Sequence, residues 1–219
     1  MLPWHDIHVV MLDMDGTLLD LNFDTHFWRE HVPRRYAELR GLELDDAKNE
    51  LYPRFREVEG TMDWYCLDYW SQTLELDVAA LKQEVDHLIA IHPQVVDFLQ
   101  WARNADKRLL LVTNAHAKSL ALKMERTQLA HRFHAVICAH DLGLPKEQPD
   151  FWRKLAQIEP FDPKHTLLVD DSAAVLRSAH RFGIAHLRGV AQPDTQAPPL
   201  QPGDFETISS FGDIMPSTC

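Results

Sequence analysis

The chain has 219 residues, 45% apolar and 25% charged, with 22 Lys and Arg against 33 Asp and Glu and a formal net charge of −11. That length allows one domain, or one domain carrying an inserted lobe, with a core that needs neither disulfides nor a structural metal, and the composition excludes wholesale disorder. The acidic balance argues against a nucleic-acid polymer as partner, because duplex binding depends on neutralising phosphates with Lys and Arg.

The N-terminal stretch MLPWHDIHVVMLD has no basic start and no long apolar run, so no signal peptide is expected. No apolar stretch approaches the ~18 residues that span a bilayer, so no membrane partner is expected either. Cys66, Cys138 and Cys219 are scattered and lack metal-finger spacing. They read as two packed thiols and one terminal one, in keeping with a reducing cytoplasm.

In chain order, Val9-Val10-Met11-Leu12 is the first of several short apolar runs without polar alternation, as expected for strands buried on both faces. Residues 21–91 then break the rhythm. Helical patterns dominate there: Phe27/Trp28/Val32/Tyr36, Leu51/Phe55/Val58, Trp64 to Leu74, and Asp77 to Ile89. The reading is a helical cap inserted after the first strand, on a core made of 1–20 and 92–219. Pro93 opens a helix with Val95, Val96, Phe98, Leu99 and Ala102 inward. Leu109 to Val112 is a strand, a helix follows from about Ala115 toward Leu129, and Ala135 to Cys138 is the next strand. Leu167 to Val169 precedes a helix after Ser172, with Val175, Leu176 and Ala179 inward and Gly183 placed to end it. Ile184 to Val190 is the last strand. From Ala191 onward Pro193, Pro198, Pro199, Pro202 and Pro216 predict an irregular strap or tail. The alternation predicts an α/β fold with a doubly wound, mainly parallel sheet.

Acids and hydroxyls sit where such strands end. The first strand runs into Asp13-Met14-Asp15-Gly16-Thr17, the second into Thr113-Asn114, and the Leu167 strand into Asp170-Asp171-Ser172. The carboxyl edge of an open α/β sheet is where ligands bind. Four carboxylates gathered there repel one another unless a cation lies between them, and an all-oxygen set suits Mg²⁺. Lys146, on the loop Gly143-Leu144-Pro145-Lys146, adds a positive charge. Acids, one divalent cation, a Lys and a Thr suit a phosphoryl group: one carboxylate attacks phosphorus, and a second protonates the leaving oxygen and then activates water.

The segments VVMLDMDGTLLD, LLLVTNA, LPKE and LLVDDS resemble, in order, the four motifs of the haloacid dehalogenase-like (HAD) phosphohydrolases. The resemblance implies a Rossmann-like core and assigns roles. Asp13 would be the nucleophile and a metal ligand. Asp15 would be the general acid and base, with its main-chain carbonyl on Mg²⁺. Thr113 and Asn114 would hold the phosphoryl group, and Lys146 would steady Asp13 and the phosphate. Asp170 would bind the metal directly, and Asp171 through water or by orienting Lys146. The 100 positions between Asp13 and Thr113 leave room for the family's first-position cap, and the 33 between Thr113 and Lys146 are too few for its larger alternative.

DLNFDTHFW, WYCLDYW and TNAH further resemble the purine 5′-nucleotidase branch that acts on GMP and IMP, which implies a purine nucleoside monophosphate as the small phosphorylated substrate. Phe27, Trp28, Trp64, Tyr65 or Trp70 would stack on the base, and Asn22, Asp24 or Asp68 would read ring N–H groups. Other functions fit less well. A sugar-phosphate phosphatase or phosphosugar mutase of the same superfamily is the near alternative, while a receiver-type signalling protein would place its acidic pair early and its phosphoacceptor later. A non-catalytic binding protein would be expected to lose Asp13 or Asp15. Against these functional readings stand plain ones. A lone Lys is usually a solvated charge, and a helical Trp or Tyr is more often core. His116 reads as a helix start. Trp4 and Trp152 read as packing. The 13 His residues show no metal-ligating spacing. The oligomeric state is not encoded in any of these features.

Overall fold

The structure, a computed structural model, describes residues 2–200 and 203–216, so Pro202 and Cys219 lie outside the described residues. The apolar runs become strands β1 (Val9–Leu12), β2 (Arg108–Thr113), β3 (Ala135–Cys138), β4 (Thr166–Val169) and β5 (His186–Val190). A sixth, β6 (Thr207–Ile208), joins them, and all pair in parallel in the order β3-β2-β1-β4-β5-β6. β1 therefore lies between β2 and β4, with Leu12 beside both Leu111 and Val169. The chain winds outward through β2 and β3, then returns to the other side of β1. That reversal opens a crevice at the carboxyl ends of β1 and β4.

Alternate residues face opposite layers, as the strand period requires. Val10, Leu12, Leu109, Leu111, Leu167 and Val169 pack in one cluster with α7 (Val95–Asn104), through Phe98, Leu99 and Ala102. Met11, Leu110, Val112 and Leu168 pack on the other face against α10 (Pro149–Ile158) and α11 (Ala173–Phe182), through Phe151, Trp152, Leu155, Val175 and Leu176. Trp152 is core, and Trp4 packs against the first cluster with its Nε1 donating to the Ile214 carbonyl.

Between β1 and β2 the chain forms α1 (Asn22–His26), a π-helical turn (Phe27–His31), α2 (Val32–Arg40), α3 (Leu44–Glu57), α4 (Met62–Tyr65), α5 (Leu67–Leu74) and α6 (Val78–Glu84). These helices share a third cluster built on Phe23, Phe27, Leu51, Phe55 and Trp70. The two chain passes that connect them to the sheet run side by side: the Asp20 N–H donates to the Ala90 carbonyl, and the His92 N–H to Leu18. The helix α8 (Ala117–Thr127) follows β2, and the short α9 (Ala139–Leu142) follows β3.

Several sequence expectations need correction. Pro93 does not open α7; Gln94, in the left-handed region, precedes its first residue, Val95, and Val96 is exposed because the inward stripe runs through Val95, Phe98 and Leu99. α8 stops at Thr127, where Gln128 turns left-handed, short of Leu129. Ile184 is not in β5: its N–H donates to the Ala179 carbonyl in the Gly183 turn that ends α11, and the strand starts only at His186. The tail is irregular but supplies β6 as a sheet edge. Cys138 is packed, whereas Cys66 is only half-buried, at the break between α4 and α5. Among the described residues no helix is long and apolar enough to cross a membrane.

Candidate active site

Parallel register sets the site. Leu12 and Val169 are paired neighbours, so the next residues, Asp13 and Asp170, leave adjacent strands side by side. The chain then turns sharply after β1. The N–H groups of Leu18 and Leu19 both donate to the Met14 carbonyl, and Gly16 holds φ at 76°. A Cβ at Gly16 would lie 2.6 Å from Asp171 Oδ2. Thr17, fully buried, accepts the Asp171 N–H with its Oγ at 3.2 Å and ties the two acidic loops together. Gly16→Ala is therefore expected to lower stability by about 1–3 kcal/mol through its backbone conformation and to displace the Asp171 carboxylate. Urea unfolding and turnover measured on the same preparation check both effects.

Carboxylate oxygens of Asp13, Asp170 and Asp171 all lie within 4.8 Å of one another. Lys146 is buried beside them. Its Nζ donates to Asp13, to Asp170 at 2.7 Å and to the Val112 carbonyl at 3.0 Å. The plain reading of Lys146 as a solvated surface charge fails on that burial. Asp171 makes no bond to Lys146, so orienting the lysine falls to Asp170. Burial, with help from the Asp170 charge, raises Asp13 to about 6 against the pull of Lys146. Burial also pushes Asp170 up, with Lys146 opposing. Asp171 goes well above the ordinary range through burial and its repulsion by Asp13 and Asp170. Burial opposes the charge on Lys146, but Asp13 and Asp170 outweigh it and hold the ammonium protonated. Such a hard, all-oxygen cluster is a fitting cradle for a small divalent cation.

Asp15 faces elsewhere. Its carboxylate is outside that cluster and accepts from Lys123 Nζ at 2.6 Å. Lys123, on α8, is 1% exposed and also donates to Asp24 of α1 at 2.6 Å. Asp24 in turn accepts from the buried Lys82 of α6, again at 2.6 Å. The Phe23 ring lies 4.7 Å from Lys82 Nζ and 5.0 Å from Lys123 Nζ. Burial and Asp24 raise Asp15 to about 6, with Lys123 opposing. Burial would also raise Asp24, but the two ammoniums hold it down to about 2. Asp24, one of the residues expected to read a purine N–H, lines the cavity described below and accepts from a lysine with each of its two oxygens. Sequence reasoning missed both lysines, since a Lys on a helix carries no mark of burial.

Thr113 is buried at the end of β2, with its Oγ accepting the Ala115 N–H at 3.0 Å. Its hydroxyl hydrogen still has freedom to reach a ligand. The Asn114 side chain is partly engaged, with one Nδ2 hydrogen left over and the residue lining the cavity described below. Its Oδ1 accepts the Lys146 N–H at 2.9 Å, and its Nδ2 donates to Glu147 at 2.9 Å. Asn114 therefore positions the Lys146 loop. Glu147, also missed, accepts a 2.6 Å bond from the Tyr65 hydroxyl and so ties the helical segment to the sheet. Burial and Glu147 push the Tyr65 phenol far up, which keeps it a donor.

These groups line a cavity of about 960 Å³ between sheet and helices, of a size that takes small molecules. Of the aromatic candidates, Trp28, Trp64 and Tyr65 line it. Phe27 and Trp70 are buried in the helical cluster and do not line it. Phe55 and Tyr52 line it as well, neither of them among the residues expected to stack on a base. Asn22 and Asp68 do not line it, and Asp68 pairs with Lys118 instead. His116 caps α8, its Nδ1 accepting the Lys118 N–H at 3.3 Å, so the helix-start reading holds.

A family model described as haloacid dehalogenase-like hydrolase matches residues 7–183. The chain is 35% identical over 216 residues to the GMP/IMP nucleotidase YrfG of Escherichia coli, covering 99% of this chain and 97% of that protein. It is 26% identical to the glyceraldehyde 3-phosphate phosphatase of Methanopyrus kandleri, over 83% of each chain. The crystal structure of a HAD phosphatase from Thermococcus onnurineus superposes with a TM-score of 0.79 at 20% identity, covering 95% of this chain and 96% of that one.

Proposed function

This chain belongs to the haloacid dehalogenase-like hydrolase family, and we propose that it hydrolyses phosphate monoesters through an aspartyl-phosphate on Asp13, with purine nucleoside 5′-monophosphates of the GMP and IMP type as substrates. The observation that carries the reading is the convergence of Asp13, Lys146, Asp170 and Asp171 on the floor of a cavity walled by Trp28, Trp64 and Tyr65. Likeness to a GMP/IMP nucleotidase along almost the whole chain supports the substrate class.

In this reading Asp13 attacks phosphorus while the bond to the leaving oxygen breaks. Asp15, raised to about 6, gives that oxygen its proton. Asp15 then takes a proton from water, which attacks the acyl phosphate, releases inorganic phosphate and restores the Asp13 carboxylate. Lys146 holds Asp13 and takes up part of the phosphoryl charge, and the Thr113 hydroxyl donates to a phosphoryl oxygen. Asp13, Asp170 and Asp171 would hold Mg²⁺, which when bound supplies Lewis-acid neutralisation of that charge. The helices of residues 21–91 act as the cap, hinging at the paired passes near Asp20 and Ala90. Their aromatic residues make the purine platform.

The test is phosphate release across nucleoside monophosphates and small sugar and triose phosphates, with and without Mg²⁺. Purine 5′-nucleotides turning over fastest, and only with the cation, is the expected result. Preference for a triose or sugar phosphate would overturn the substrate class, and full turnover after exhaustive chelation would overturn the metal role.

Cation affinity should also depend on pH. Asp13 is raised to about 6 by burial, so it holds a proton at mildly acidic pH, and burial shifts Asp171 in the same direction. A cation must displace the Asp13 proton. Mg²⁺ binding is therefore expected to weaken as pH falls below about 6, by about tenfold per unit for each proton displaced. Calorimetric titrations at two pH values, in buffers of different ionisation enthalpy, would reveal the proton release.

A further inference from the structure

Nothing in the spacing of the histidines along the chain suggests a soft-metal site, yet the fold assembles one set of such ligands from three separate segments. Cys66 lies at the break between α4 and α5, in the helical segment. His116 follows β2, and His140 follows β3. One ligand atom from each, the Cys66 sulfur and one ring nitrogen of each histidine, lies within 4.8 Å of the others. The two imidazoles meet edge to face, with ring centroids 5.0 Å apart.

A second observation points the same way. Among the described residues, His140 Nε2 is the one buried side-chain nitrogen or oxygen without a hydrogen-bond partner. A buried polar atom left unpaired costs about 1–3 kcal/mol, so its presence calls for a ligand or another compensating role. We propose that Cys66, His116 and His140 form a second metal site, for a borderline-soft divalent cation of the zinc type, which cross-links the helical segment to the sheet.

The donor chemistry discriminates this site from the carboxylate cluster. One thiol and two imidazoles suit Zn²⁺ and its neighbours, whereas Mg²⁺ takes oxygen. Cys66 Sγ accepts the Tyr69 N–H at 3.4 Å, at the N-terminus of α5, which fixes where the sulfur sits. On binding, the thiol proton goes to solvent as the sulfur–metal bond forms, and both imidazoles bind neutral. His116 uses Nδ1 to accept the Lys118 N–H, which leaves Nε2 for the metal. Bonding there moves the ring proton to Nδ1 and exchanges a long cap bond for a metal bond. Asp68, with Oδ2 3.7 Å from His116 Nε2, stands beside the fourth position, where it or water completes the tetrahedron. Because one ligand belongs to the helical segment and two to the segments that follow β2 and β3, occupancy ties the two together.

The probe is Co²⁺ added to the full-length protein under a non-thiol reductant. One equivalent is expected to give a near-ultraviolet thiolate-to-cobalt charge-transfer band that Zn²⁺ displaces. Cys66→Ser should abolish the band. His140→Ala should weaken Co²⁺ binding on the order of tenfold or more, since a ligand matters at least as much as its supporting groups. Asp170→Asn, which alters only the carboxylate cluster, should retain the band. Zn²⁺ should raise the thermal midpoint of the wild-type protein and not that of Cys66→Ser. No band in the wild type, a band that survives Cys66→Ser, or equal affinity in His140→Ala would each overturn the proposal. None of these readouts measures phosphate release, so their failure leaves the hydrolase reading where it stands, and failure of that reading leaves this site untouched.

Discussion

Asp13→Asn is expected to abolish phosphate release, with turnover falling on the order of a thousandfold or more while the fold survives. The amide has the shape of the carboxylate but cannot form the acyl phosphate, so the covalent route is closed. Stability should change little, because the substitution removes one of several carboxylates crowded around Lys146 and leaves the Asp170 partner in place. Burial and the Asp170 charge already oppose ionisation of Asp13, so the neutral amide relieves a repulsion while it loses an ion pair. Turnover kinetics with a continuous phosphate assay, beside thermal unfolding of the same sample, separate the two effects. Turnover within tenfold of wild type in a protein free of reversion would remove Asp13 as nucleophile. A collapsed thermal midpoint would shift the explanation from chemistry to folding.

The parts of this molecule that were legible in sequence share a physical cause. Strands buried on both faces must be apolar throughout, so Val9 to Leu12, Leu109 to Val112 and Leu167 to Val169 announce themselves, and the polar residues that end them mark the carboxyl edge. Asp13, Asp15, Thr113 and Asp170 are placed by that rule alone, and the neighbouring Asp171 follows. Lys146 needed the resemblance, because its 2% exposure is a product of tertiary packing. Lys82 and Lys123 lay further out of reach. Each occupies a helix position that reads as an ordinary solvated or snorkelling cation, and only the meeting of α1, α6 and α8 buries it. The aromatic residues were ambiguous for a related reason. Phe27 and Trp28 are adjacent in the π-helical turn, and pattern alone does not say which faces the core and which the cavity. β6 was hidden because two residues in a proline-rich tail carry no periodicity. The Cys66, His116 and His140 set draws on three separate segments, so no local spacing could contain it.

Lys123→Met is expected to cost about 3–5 kcal/mol of stability and to shift the pH dependence of turnover. The ammonium is 1% exposed and is shared between Asp15 and Asp24, so the substitution leaves two carboxylates in a poorly solvated space with only Lys82 to offset them. The apolar methionine keeps the packing against Phe23, which confines the loss to charge. Asp15 carries the second consequence. Burial raises it to about 6 while Lys123 pulls it down, so without the ammonium it titrates higher still. In the proposed reaction Asp15 is protonated when it serves the leaving oxygen and ionised when it takes the proton from water, so each limb of the pH–rate profile that it governs should move to higher pH. A purely structural role for Lys123 would lower the amount of folded enzyme and leave the profile where it was. Adding Asp24→Asn removes one of the two stranded charges, and the double variant should be more stable than the sum of the single effects by about 1–3 kcal/mol. If the double variant were simply additive, Lys123 and Asp24 would not be acting as a pair, and the link between the helical segment and the proposed acid–base residue would have to run through another contact.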